Sequence, residues 1–268
     1  MGFGGTPVRL NPDMLMPVAL TKDPMMKDFH LGDLTWRAKA SYIAHAFKAA
    51  FKQHHKWMNP LFTRLIDPES VILDIGGHSG QYAKLLARIA KRGRIYAFEP
   101  SSYARSILRL AVRVNGFDNI HVMPKGLSDE PGSLTLTTPL KPQGTFRYGI
   151  AHMGGVGKDG QAYREEVAVT TIDHFAAEEG LRRLDFIKMD VEGWEMRILE
   201  GGAAAIERFR PMMLIELVDR QLAQAGDSVE AAWGLLDSWG YRPAVCSDGK
   251  TLTPREAPLE GDNFWLPD

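Results

Sequence analysis

Residues 71–80 read Val-Ile-Leu-Asp-Ile-Gly-Gly-His-Ser-Gly, a short apolar run interrupted by Asp74 that gives way to a turn with three glycines. An apolar run of this length bounded by glycine is a buried strand, and the helical pattern that follows to about Lys91 makes the turn a strand-to-helix corner. Glycine lets the backbone bend there and lets a ligand approach the main chain. The first helical turn then offers N–H groups that have no partner within the helix. A second strand, Arg94-Ile95-Tyr96-Ala97-Phe98, runs into Glu99, 19 residues beyond Gly80. An acid at that spacing is placed to accept hydrogen bonds from both ribose hydroxyls of a nucleotide cofactor.

Asp74 separates two kinds of cofactor. A dinucleotide needs its pyrophosphate over the first loop, usually on Gly-x-Gly-x-x-Gly, and a carboxylate beside it would repel it. Here the order is Asp74-x-Gly76-x-x-x-Gly80, with Gly77 and His78 between the glycines. The anion suits the methionyl ammonium of S-adenosylmethionine and tolerates the sulfonium nearby. After a third strand, Ile120–Met123, the residues Gly126-Leu127-Ser128-Asp129 sit where an adenine edge would lie, with Asp129 able to accept from its amine. The same stretch is also strong turn chemistry.

The remaining chain alternates strands and helices, which predicts right-handed βαβ units and a mostly parallel sheet. Strands are expected at Ser133–Thr138, Glu166–Thr171, Leu184–Met189, Met212–Leu217, Arg242–Cys246 and Asn263–Leu266, with helices at about Glu195–Phe209 and Val229–Trp239. The glycine-rich stretch from Gly144 to Gly160, with His152 in it, reads as a substrate loop. Residues 1–37 carry several prolines and read as an extended arm. Ala38–Met58 has apolar residues at helical spacing, with Lys39, Lys48, Lys52 and Lys56 on other faces. It is expected to pack on the main domain, to cover a pocket or to lie on a membrane surface. Asn59-Pro60 is expected to stop it, and Asp67-Pro68 to open the main domain, which divides the chain into an extension at 1–67 and a domain at 68–268.

A second acidic centre lies in Asp185-Phe-Ile-Lys188-Met-Asp190-Val-Glu192-Gly193. Lys188, Asp190 and Glu192 alternate and so share one face of an extended chain. Three ionisable groups at a buried strand's end are costly unless paired or used. Methyl transfer to an alcohol needs positioning and a base for the hydroxyl proton. Asp190 or Glu192 can supply the base while Lys188 holds a carboxylate; a Lys–carboxylate network that knits strand to helix is the bland alternative. The spacing supports no metal site.

The chain has 268 residues, 44% hydrophobic and 24% charged, with a net charge of −1, so no overall field recruits nucleic acid. The single cysteine, Cys246, excludes an intrachain disulfide and fits a reducing cytosol. The N-terminal stretch predicts neither a secretory signal nor a transmembrane span, and a cytoplasmic location is expected. A homo-oligomer is compatible with these properties.

These pieces together resemble the FkbM family of S-adenosylmethionine-dependent methyltransferases. The likeness is carried by ILDIGGHSGQY (72–82), YAFEPS (96–101), NGFDNI (115–120) and GLSDEPGSLTL (126–136), then VTTIDHF (169–175), DFIKMDVEGWEMRILEGG (185–202), RPMMLIEL (210–217) and NFWLP (263–267). It implies a class I, Rossmann-like fold, doubly wound about a seven-stranded sheet, and O-methylation of sugars, glycolipids or polyketides. Asp74, Gly76 and Gly80 would hold the methionyl end, Glu99 the ribose, and Ser128 and Asp129 the adenine. The family loop usually reads Gly-Ala-Asn where this chain has Gly76-Gly77-His78. A nicotinamide-dependent oxidoreductase and a non-catalytic nucleotide-binding module are the competing readings.

Overall fold

The computed structural model describes residues 35–139 and 162–268, together with Gly32 and the backbone of His152 and Met153. The strand from the first motif, β1 (Val71–Ile75), lies near the middle of the main sheet. On one side it pairs with β2 (Arg94–Phe98) and then β3 (Ile120–Met123), all parallel. On the other it pairs with β8 (Phe186–Met189) and then β9 (Met212–Leu217), again parallel. Next comes β12 (Gly261–Pro267), antiparallel to β9, then β10 (Tyr241–Val245) and the two-residue β11 (Thr253–Pro254). Seven longer strands thus carry the doubly wound sheet, and β11 adds a short eighth at its edge. Both faces are covered, which is why β1 and β8 carry apolar residues on both faces, broken only by Asp74 and Lys188.

One expected helix is two. The Glu195–Phe209 segment breaks into α6 (Glu195–Glu200) and α7 (Ala203–Phe209) at Gly201-Gly202. A Cβ at Gly201 would lie 2.1 Å from the Ser128 carbonyl oxygen. Close backbone approach, not helix propensity, fixes that corner.

The two β-rich pieces also join differently from the main sheet. β5 (Gly132–Pro139) and β7 (Ala162–Thr170) are antiparallel partners in a separate sheet of order β4-β7-β5-β6, with β4 at Gly126–Leu127 and β6 at His152–Met153. The glycine-rich loop expected between them lies outside the described residues apart from β6.

The extension departs furthest from expectation. Its helix, α1 (Trp36–Phe51), stops seven residues before Met58. The buried Lys84 of α3 (Gln81–Ala87) turns its ammonium onto the carbonyls of Ala49 and Lys52, and Asn115 donates to the Ala50 carbonyl at 3.0 Å. These groups satisfy the carbonyls that a helix end leaves open. His55 then adopts a left-handed φ of 57°, and Asn59-Pro60 opens α2 (Asn59–Leu65) instead of stopping α1. Proline near a helix start costs nothing, because that N–H has no intrahelical partner. Leu61 and Phe62 of α2 are fully buried with Ile72, Leu86 and Phe186 of the main domain, so the core extends N-terminal of residue 67. Against α4 (Ser102–Val114), α1 buries Tyr42, Ala46 and Ala49. Alanines contribute only about 0.8 kcal/mol per methyl buried, so the carbonyl ties matter to how α1 is held.

Candidate active site

Strand order reverses at β1, whose neighbours β2 and β8 lead off in opposite directions, and open α/β sheets bind ligands beyond the strand ends at such a point. A cavity of about 330 Å³ lies there. Asp74, Gly76, Gly77 and His78 line it from β1 and its loop, Glu99 from the end of β2, and Lys188, Asp190 and Glu192 from the end of β8. Parallel register explains the convergence: Asp74 is level with Lys188, and Ile75 with Phe98.

The loop is held by backbone. Gly76 and Gly77 both donate to the Phe98 carbonyl, at 3.1 and 2.9 Å. Gly76 has φ 77°, and a Cβ there would sit 1.9 Å from the Asp190 carbonyl oxygen. Gly77 has no such restriction; its Cβ would make ordinary contacts with the Ala97 methyl at 3.4 Å, Leu108 at 3.5 Å and the Phe98 carbonyl oxygen at 3.6 Å. Gly76→Ala is therefore expected to lower the melting temperature by about 5–10 °C. Gly77→Ala should stay within about 2 °C of the parent. Scanning calorimetry checks both, and equal shifts would contradict this account of the loop. Gly80 is not in the lining; its φ of 75° makes the corner into α3, and Leu108 packs where a side chain would go.

Glu99 is buried, and each oxygen takes a backbone N–H: His78 at 2.7 Å and Ser101 at 2.9 Å. Burial pushes its carboxyl up to about 7, against the pull of those two donors. An ionised carboxylate has about four acceptor positions, so capacity remains toward the cavity. His78 has a left-handed φ of 46°, and burial, then Lys188, drives its imidazole down to about 4. It is neutral near pH 7.

Asp74 is buried and neither oxygen has a hydrogen-bond partner of normal geometry, although the first-turn N–H of Ala83 faces it. Burial raises its pKa, and Lys188 opposes the shift. Lys188 is itself buried, 3.2 Å from an Asp190 oxygen and over the Tyr82 ring. Burial alone would discharge it, yet Asp190 and Asp74 hold it protonated and raise its pKa. Burial opposes Asp190's ionisation too, but Lys188 and a hydrogen bond from Glu216 keep it below the usual carboxylate range. Glu216, near the end of β9, is pushed up to about 8 by burial and then by Asp190, so the proton of this pair sits on Glu216. Glu192 is held in a left-handed φ of 59° and accepts from the Gln221 amide. Burial, then Asp190, raises it to about 7. Glu195, which helix electrostatics alone would explain, accepts from the N–H groups of Val191 and Gly193 and so shapes the turn that presents Glu192.

Ser128 and Asp129 are off the lining. The Ser128 hydroxyl donates to Asp129 at 2.7 Å and accepts from the Trp194 indole at 3.1 Å, while Asp129 meets Arg197 at 3.4 Å. Their neighbours Gly126 and Leu127 do line the cavity. So do His55, Tyr82, Tyr103, Leu136 and Thr138, which sequence reasoning did not place there. His55 stacks on Tyr82 with ring centroids 4.5 Å apart. Among the described residues, no group of three or more His, Cys, Asp or Glu side chains is arranged to hold a metal ion.

Residues 74–243 match the family model for the methyltransferase FkbM domain. This chain belongs to the FkbM methyltransferase family. Among its relatives is the 2-O-methyltransferase NoeI of Sinorhizobium fredii, 25% identical over 64% of this chain and 73% of that protein. Methyltransferase 1 of Beauveria bassiana is 28% identical over 66% of the chain and 74% of its own length. The antimetabolite synthetase AmbE of Pseudomonas aeruginosa is 25% identical over 69% of the chain, which spans only 10% of that protein. A crystal structure of methyltransferase FkbM from Methylobacillus flagellatus shares 15% identity at a TM-score of 0.49, covering 84% of this chain and 59% of its own. The fold of this FkbM chain rests on its strand order rather than on that likeness.

Proposed function

We propose that the protein transfers a methyl group from S-adenosylmethionine to a hydroxyl of a small molecule, sugar, glycolipid or polyketide-type acceptor. The observation that carries this reading is Asp74: a buried carboxylate on the cavity wall with both oxygens unbonded. A buried acid with open acceptor positions is completed by a hydrogen-bond donor, and an ammonium group supplies one where a pyrophosphate cannot. When bound, S-adenosylmethionine supplies a methyl group on a sulfonium that needs no further activation.

Asp74 pairs with the methionyl ammonium, the loop Gly76–His78 borders the methionyl chain, and Glu99 accepts from the ribose hydroxyls. Gly126 and Leu127 take the adenine side, because the side chains of Ser128 and Asp129 are engaged elsewhere. Lys188 holds Asp190 as a fixed anion, and Glu216 donates to it. Glu192, with a pKa of about 7, is matched to accept the acceptor's hydroxyl proton at neutral pH. Its strained backbone is held by the Gly193 turn, as at many catalytic positions. The name of the NoeI relative supports oxygen as the site of methylation.

The test is incubation of the protein and methyl-labelled S-adenosylmethionine with an extract of its host. The expected result is label in a small-molecule, glycan or glycolipid fraction, stable to mild base. Label in protein or nucleic acid alone would overturn the reading.

A further inference from the structure

Helix α1 carries two apolar faces of unequal size. Its small residues Ala46 and Ala49, with Tyr42, face α4. Its large ones point away from the protein: Trp36 is 74% exposed, Ile43 66%, Phe47 62% and Phe51 67%. Trp36, Ile43, Phe47 and Phe51 recur at spacings of seven, four and four and so form one stripe. The Phe47 and Phe51 rings pack on each other at 4.7 Å, in the open. Trp57, 50% exposed, follows beyond the helix end.

Charge accompanies the stripe. Residues 35–66 contain Arg37, Lys39, Lys48, Lys52, Lys56 and Arg64 and no aspartate or glutamate, a net +6 in a chain of net −1, so the remainder carries −7. Arg37, Lys39, Lys48, Lys52 and Lys56 are all exposed. Aromatic residues on one stripe flanked by cations are the pattern of a helix lying in the interface of an anionic bilayer. Among the described residues no helix is long and apolar enough to cross a membrane, so the stripe serves docking rather than spanning.

We infer that α1 docks this protein on an anionic lipid surface. The helix is rigidly tied to the site. Lys84 binds its C-terminal carbonyls, His45 bonds the Tyr103 hydroxyl at 2.9 Å, and Tyr103 lines the cavity. Docking therefore holds the cavity beside the bilayer. Resting on the methyl-transfer reading above, the acceptor is a hydroxyl on a lipid-linked molecule.

Cosedimentation of the full chain with vesicles tests this. Neutral phosphatidylcholine is compared with phosphatidylcholine containing phosphatidylglycerol. Binding to the anionic vesicles is expected, weakened by raised salt. It should fall about tenfold or more in W36S/F47S/F51S and also in K39Q/K48Q/K52Q. Titration with S-adenosylhomocysteine shows that each variant retains its fold and keeps this test separate from the functional one. In the parent protein, hydrogen exchange across residues 36–51 should slow on adding anionic vesicles. No vesicle binding, binding unaltered by either set of substitutions, or a dimer dissociated by W36S/F47S/F51S would overturn the proposal. So would exchange protection of residues 36–51 without lipid that is lost on removing residues 1–34.

Discussion

Replacing Glu192 with glutamine is expected to lower the rate of methyl transfer about 10²–10⁴-fold while leaving S-adenosylhomocysteine affinity within about threefold. Glutamine keeps the shape and the contact with Gln221 but cannot take a proton. Initial rates with the labelled host fraction check this, and titration of the product analogue checks the affinity. The pH profile adds a sign. Glu192 is raised to about 7 by burial and Asp190, so its basic form accumulates as pH rises through that value. The rate should climb between about pH 6 and 8 in the parent protein and lose that limb in the variant. Asp190→Asn should behave differently, because it strips the buried Lys188 of the carboxylate at 3.2 Å. It should cost stability as well as turnover, though less than the about 3–5 kcal/mol of a fully buried pair, because the Asp190 side chain is 38% exposed.

Glu99→Gln is expected to weaken S-adenosylhomocysteine binding by about 10- to 150-fold, the worth of one charged hydrogen bond, about 1.5–3 kcal/mol. The amide also turns an N–H₂ group toward one of the His78 and Ser101 N–H donors, which a carboxylate satisfies together. In the parent, affinity should strengthen as pH rises through about 7, because the ionised form accepts better; in the variant it should be flat. Stability of the unliganded protein moves the other way. A carboxyl raised from 4.5 to about 7 binds its proton more tightly when folded. It contributes stability that is full below pH 4.5 and is lost as pH rises through 7, by about 3 kcal/mol at most. Glu192 and Glu216 act in the same direction. Thermal melts of parent and variant from pH 5 to 8 should show the parent losing more, and parallel curves would contradict the assignment.

The parts of the site that were legible in the sequence are those where one strand end carries the whole feature. Asp74, the glycines and Glu99 are local, and the alternation of Lys188, Asp190 and Glu192 follows from an extended backbone. The doubly wound sheet was legible for the same reason, from the order of apolar runs and helices. What escaped depends on contacts distant in sequence. His55 reaches the cavity only because α1 stops early under the carbonyl-binding Lys84, 35 residues from Ala49. Leu136 and Thr138 arrive through the second sheet, whose pairing of β5 with β7 spans the glycine-rich insertion. Glu216 gains its role from Asp190, just past the end of the neighbouring strand. Ser128 and Asp129 read equally well as turn or ligand residues, and Trp194 and Arg197 engage their side chains as part of the turn's surroundings.

The most direct test of methyl-donor binding is a pair of calorimetric titrations of the full chain, one with S-adenosylhomocysteine and one with NAD. The buried, unbonded carboxylate of Asp74 predicts one equivalent of S-adenosylhomocysteine bound, lost in Asp74→Asn, and no heat from NAD. Saturable NAD binding with no response to S-adenosylhomocysteine would contradict it.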